Sequence, residues 1–239
     1  MLLYYGFDMT YLILVVPCLI LSLWASYKVK TTFNKYSNQL SRRRITGAEA
    51  ARRVLQMNGV TGVQIAKVDG NLTDHYDPRA NVIRLSDSVY DSYSTAAIGV
   101  ACHEAGHAVQ YAQSYAPIKF RAAIIPITNI GSHLAMPLIL IGLFLSFAQN
   151  ISFIFVYLGI GCFALSLLFQ LVTLPVEFNA SRRAMEAISA ADILTPDEQI
   201  GARRTLTAAA MTYVAATAVA LAQLLRLLAI FGGRGRRRR

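Results

Sequence analysis

Charge is scarce in this sequence. Only 15% of its 239 residues are Asp, Glu, Lys or Arg, against roughly 25% in globular domains, while 55% are hydrophobic. The shortage excludes an ordinary soluble protein, because the apolar material lies in long runs with too little polar surface to cover them. Cysteine is scarce too: Cys18, Cys102 and Cys162 are the three present. They form no CxxC pair, which excludes a disulfide framework and a cysteine zinc ribbon and leaves them as small buried hydrophobes. Acidic residues number 13 against 23 Lys and Arg. The excess sits in Arg42 to Arg44, Arg182–Arg183, Arg203–Arg204 and Arg234 to Arg239. Clusters like these beside apolar runs set topology and meet anionic lipid headgroups. No basic face carries aromatic or helical readers, which excludes nucleic acid as a partner.

What the chain has in abundance is apolar length. Met9 to Ser26 is long enough to span a bilayer. No basic residue precedes it, and Lys28, Lys30 and Lys35 follow it. The asymmetry puts the N-terminus outside and the next segment in the cytoplasm, as a retained anchor rather than a cleaved leader. Ile124 to Phe147, interrupted by Pro126, Asn129, Ser132, His133 and Pro137, and Ile151 to Leu174 read as two further spans. Gln149 and Asn150 sit in a tight outward-facing link between them. Thr205 to Phe231 is a fourth candidate, with Arg226 inside it. A fourth span would export the arginine tail against the charge rule, so an interfacial segment is the competing reading.

Between the first two spans the composition becomes that of a folded lobe. Thr46 and Glu49 have capping-box spacing for a helix from Gly47 to Asn58, closed by Gly59. Val63 to Val68 and Asn81 to Leu85 read as strands, and a helix starts near Ser92 or Ser94 and runs to about Gln113. The fold class is therefore mainly α, a polytopic helical membrane protein with a small cytoplasmic α+β lobe. The layout is an anchor at 1–27, the lobe at 28–120, two spans at 121–174, a cytoplasmic helix at 175–204, a candidate span at 205–231 and a basic tail at 232–239.

The string Cys102-His103-Glu104-Ala105-Gly106-His107 lies on that last lobe helix. Residues four apart share a helix face, so both imidazoles can reach one tetrahedral zinc. Glu104 projects beside them, placed to take a proton from a metal-activated water. The competing reading is a pair of histidines satisfied by carboxylates or carbonyls on an ordinary helix. A catalytic zinc also needs a third protein ligand. Glu177, where the third apolar run meets a cytoplasmic helix, is the most suggestive carboxylate, and a helix-start glutamate stabilised by the dipole is an equal reading of it.

The strings His75-Tyr76-Asp77-Pro78-Arg79, His103-Glu104-Ala105-Gly106-His107 and Leu174-Pro175-Val176-Glu177-Phe178 resemble, in that order, those of the YugP family of predicted membrane zinc metallopeptidases. More distantly the plan is similar to the HtpX-type membrane proteases and the CAAX prenyl proteases. There the third ligand is the glutamate of a Glu-x-x-Ala-Asp string. The resemblance implies Glu177 as that ligand. Ala180 matches, and Ser181 replaces an aspartate that steadies a zinc histidine in the relatives. The residue steadying that histidine here is left open.

The other candidates are weaker. Val82, Ile83 and Arg84 are read as an edge strand for an extended peptide substrate, with a core strand as the alternative. His75, Tyr76 or Arg182 is placed to stabilise an oxyanion, against a turn-capping histidine and a headgroup-facing arginine. His133 with Asn129 and Ser132 lines a wet path or makes an interhelical hydrogen bond. Arg226 snorkels or pairs with a lipid phosphate. Together these readings make a zinc-dependent endopeptidase with one zinc ion per chain, multi-pass in the cell membrane, with its active site on the cytoplasmic side. Its substrate is a cytoplasmic or membrane-embedded polypeptide, and the HtpX-type likeness implies membrane-protein quality control. A zinc hydrolase of a lipid-linked amide and a scaffold with a vestigial zinc site are the rivals.

Overall fold

The computed structural model describes residues 9–145 and 149–232. Gln149 and Asn150, expected in a link between two spans, are already helical, while the rest of that link and Arg234 to Arg239 lie outside the described residues. A π-helical turn, Tyr11–Val15, leads into α1 (Val16–Ser37). Then come α2 (Gly47–Met57), β1 (Gln64–Val68), β2 (His75–Asp77), β3 (Val82–Ser86), the short α3 (Asp87–Tyr90) and α4 (Thr95–Ala112). Three long helices complete the chain: α5 (Ala116–Phe144), α6 (Gln149–Ala190) and α7 (Gln199–Gly232). The described residues form two compact units, one drawn from 9–24, 120–145, 149–174 and 213–232, the other of 25–119 and 175–212.

The first unit holds the apolar stretches. Among the described residues, four helices are long and apolar enough to cross a membrane: Tyr11–Ser37, Ala116–Phe144, Ile151–Ala190 and Gln199–Gly232. Pro126 and Pro137 do not break α5, in keeping with the tolerance of apolar helices for proline. Asn129, Ser132 and His133 are exposed on this unit, and the Ser132 hydroxyl donates to the Asn129 carbonyl. Arg226 is largely buried and lies over the Tyr11 ring, 5.1 Å from its centre. It makes that contact within the protein instead of extending outward.

The second unit holds the sheet and α4. The Thr46 hydroxyl accepts from the Glu49 amide and starts α2, but the Glu49 carboxylate turns along the helix to Arg53 instead of back to the cap. Half of the capping box is thus made. Gly59 closes the helix at a φ of 64°, a backbone angle that costs glycine nothing. Ser94 caps α4 through the Ala97 amide.

The strand order is β1-β3-β2. β1 pairs with β3 in parallel, and β2 pairs with it antiparallel. Val82, Ile83 and Arg84, expected on an edge strand, are therefore on the central one. The free edges belong to β1 and to β2, a three-residue strand too short for its pattern to show in the sequence. Central placement explains why Ile83 and Leu85 are fully buried, each such side chain contributing about 1.5–3 kcal/mol.

α4 is buried on nearly every side, and many of its own buried residues are small. Ala97, Ala101 and Ala105 are fully buried, and a Cβ on Gly106 would lie 2.8 Å from the Ala180 carbonyl oxygen of α6. Only glycine lets these two backbones approach so closely. Arg42 and Arg43, expected among the headgroup contacts, are instead ion-paired with Asp197 and Asp192. The buried Glu198 accepts from the backbone amides of Arg42 and Thr195.

Candidate metal centre

The close contact of α4 with the start of the polar part of α6 builds the site. His103 and His107 stand one turn apart on α4, their ring centres 4.7 Å apart and their planes nearly perpendicular. Glu177, 3% exposed, points one carboxylate oxygen at both. Its Oε2 lies 3.3 Å from His103 Nε2 and 3.6 Å from His107 Nε2. These three residues each offer one ligand atom, all within 4.8 Å of one another.

The spacing tests whether zinc fits. Bonds of about 2.0–2.2 Å at tetrahedral angles put neighbouring ligand atoms roughly 3.3–3.6 Å apart. The two measured separations fall in that range, and two neutral nitrogens with one carboxylate oxygen are donors that zinc accepts. The residues fit. The local field agrees with them. Burial by itself lowers the pKa of His107, but the hydrogen bond to Glu177 and the charges of Glu104 and Glu177 outweigh it and leave it raised. The pocket is one that favours positive charge.

Glu104 is steered from the sheet. Its Oε2 accepts from the backbone amide of Tyr76 on β2, 3.0 Å away. Asp74, just before β2, has its carboxyl raised above the usual range, chiefly by burial and partly by the charge of Glu104, against hydrogen bonds from Ser86 that lower it. The Cys102 thiol is fully buried and pushed up by that burial, so it is an inert neighbour and no ligand.

Each histidine has a partner on its other nitrogen. Ser181, standing where the distant relatives carry an aspartate, places its hydroxyl 3.1 Å from His103 Nδ1. Gln110 places its Oε1 3.0 Å from His107 Nδ1. Sequence reasoning left the first partner open and missed the second altogether. The only trace of Gln110 in the sequence is its position one turn beyond His107.

The remaining candidates stand apart from this cluster. The His75 ring is exposed, with Nδ1 2.8 Å from the Thr73 carbonyl and Nε2 3.4 Å from Arg84. Tyr76 reaches the site through its backbone, while its hydroxyl donates to Asn81 and its ring tilts against Tyr111. Arg182 is exposed beside Glu186, 3.6 Å away. Arg84 pairs with Asp77 at 2.8 Å, and Val82 and Ile83 are buried in the sheet.

A helical protein with spans of bilayer length and a His-Glu-His turn joined to a distant glutamate has the make-up of a membrane metallohydrolase. Residues 11–232 match the model of the family described as "Putative neutral zinc metallopeptidase", and the chain belongs to that family. It is 45% identical over 223 residues to the "Putative membrane protease YugP" of Bacillus subtilis (strain 168), covering 93% of this chain and 97% of that protein. No solved structure matches it. The family likeness implies zinc as the metal for these donors.

Proposed function

We propose that this protein is a membrane zinc endopeptidase in which His103, His107 and Glu177 hold one zinc ion and Glu104 is the general base. The observation that carries the reading is the pair of Nε2-to-carboxylate separations, 3.3 and 3.6 Å, at one buried oxygen. They match the edges of a zinc tetrahedron, and a second glutamate lies on the same helix turn. Bound there, zinc would supply the Lewis acidity that makes water nucleophilic near neutral pH and polarises the substrate carbonyl.

The chain's own residues do the rest. Glu104 takes the proton of the attacking water and delivers it to the leaving amine. The Tyr76 amide holds one Glu104 oxygen and leaves the other free for that proton. Because β2 is an edge of the sheet, and the amide of its middle residue faces Glu104, an extended polypeptide laid along that edge would meet the general base. Backbone pairing of this kind is indifferent to side-chain sequence and suits a broad substrate range.

The topology is part of the same proposal. We read four spans with the metal centre on the cytoplasmic side, a reading supported by the apolar lengths and by Lys28, Lys30 and Lys35 after the first of them. The substrates are then cytoplasmic or membrane-embedded polypeptides.

The test is proteolysis of an unfolded membrane protein by the detergent-purified protein and by its Glu104→Gln variant. Loss of a general base costs roughly 10²–10⁴-fold in rate, with zinc content unchanged. Equal rates for the two forms refute the role of Glu104. Cleavage of a lipid amide with no cleavage of protein refutes the peptidase reading.

A further inference from the structure

Gln110 is fully buried, sits one turn past His107 and takes no part in the mechanism above. Its three hydrogen bonds leave its amide one orientation. Nε2 lies 2.9 Å from the Val176 carbonyl, which can only accept, so the nitrogen must face it. The other Nε2 contact, also 2.9 Å, is to Asn179 Oδ1. That assignment is fixed as well, because Arg183 Nε, which can only donate, approaches the same oxygen at 2.7 Å. Arg183 is itself held by Gln113 Oε1 at 2.6 Å. Both amide hydrogens of Gln110 are therefore used on α6, and only Oε1 remains to face His107 Nδ1, 3.0 Å away.

An amide oxygen accepts and cannot donate, so Nδ1 of His107 must carry the hydrogen. The lone pair is then left on Nε2, the nitrogen that faces Glu177. Ser181 cannot fix His103 in this way, since a hydroxyl turns to donate or accept as required. From these contacts we infer that Gln110 is a positioning residue that sets the metal-binding tautomer of His107. It couples that choice to the seating of α4 on the turn of α6 that carries Glu177. A ligand imidazole held by a polar partner on its other nitrogen is a more basic and better oriented donor, and losing the partner typically weakens metal binding by roughly 10–100-fold.

The inference rests on the reading of His103, His107 and Glu177 as zinc ligands, and the experiment separates the two. Zinc content is measured first on the detergent-purified wild type. Zinc dissociation constants are then measured by chelator competition for wild type and Gln110→Met, alongside the Tm of the metal-free forms. The expected result is a zinc Kd about 10–100-fold higher in the variant. If Gln110→Met folds and binds zinc as tightly as wild type, with only its Tm lowered, the residue is merely structural and the inference fails.

A second measurement needs no variant at Gln110. Nitrogen-15 spectra of histidine-labelled, zinc-loaded wild type, with His107 assigned by comparison with His107→Gln, report which ring nitrogen keeps its proton. Hydrogen on Nδ1 is expected, and hydrogen on Nε2 overturns the proposal. A wild type that takes up no zinc removes the ligand reading and this inference together. A zinc-loaded wild type with the wrong tautomer removes this inference alone.

Discussion

The unit built from 25–119 and 175–212 and the unit built from 9–24, 120–145, 149–174 and 213–232 spend their residues differently. In the first, alanines and glycines bring backbones close and the polar side chains near the metal centre are bonded in sequence: His107 to Gln110, Gln110 to Asn179, Asn179 to Arg183. In the second, large apolar side chains face outward, Leu23 at 72% and Phe144 at 71% exposure. Exposed apolar surface on this scale marks a surface meant for lipid or protein. One unit is specified by close contacts and fixed hydrogen bonds, the other by hydrophobic length. A substitution of the same size should therefore have very different consequences in the two.

Gly106→Val breaks the contrast at its tightest point. Even one added carbon would sit 2.8 Å from the Ala180 carbonyl, so α4 and α6 must part and carry the histidines away from Glu177. Overpacking of this kind costs about 1–3 kcal/mol, and zinc binding should fall with it. A thermal melt and a zinc titration check both, and a variant with wild-type values in each would show that the close approach is dispensable.

Leu23→Ala, in the other unit, removes as many carbons as Gly106→Val adds, but from an exposed position of α1. Its expected effect on stability in detergent is within about 0.5 kcal/mol, as for exposed positions generally. A drop as large as that of Gly106→Val would erase the distinction between the units.

The smallest effect is electrostatic. The hydrogen bond from Arg84, with those from the backbone of Ala80 and Arg79, lowers the Asp77 carboxyl to about 2 from 3.8. A depressed carboxylate stabilises the fold above its unfolded pKa and ceases to do so as pH falls through the folded value. Acid melts of wild type and Arg84→Met should therefore differ slightly above pH 4 and converge as pH drops toward 2. A gap that widens in acid contradicts the pairing.

The same division decided what the sequence could reveal. Apolar length needs no partner to be recognised, so the long helices were legible, and so was His103-Glu104-x-x-His107, whose chemistry sits within two helix turns. Gly59 and Ser94 were legible because caps are local. β2 escaped because three residues carry no pattern, and without it β3 looked like an edge. Gln110 and Ser181 escaped for a different reason. Ser181 lies 78 residues from His103 along the chain, and Gln110, though one turn from His107, is turned toward it by contacts with Val176 and Asn179, 66 and 69 residues away. The residues alone left Glu177 evenly balanced between a ligand and a helix-start glutamate, and the resemblance tipped it toward the histidines.

The most direct test of the account is the zinc content of purified wild type, Glu104→Gln and Glu177→Ala, each washed free of loosely bound metal. One zinc per chain is expected in wild type, the same in Glu104→Gln, and little or none in Glu177→Ala. Full zinc in Glu177→Ala, or none in wild type, would contradict it.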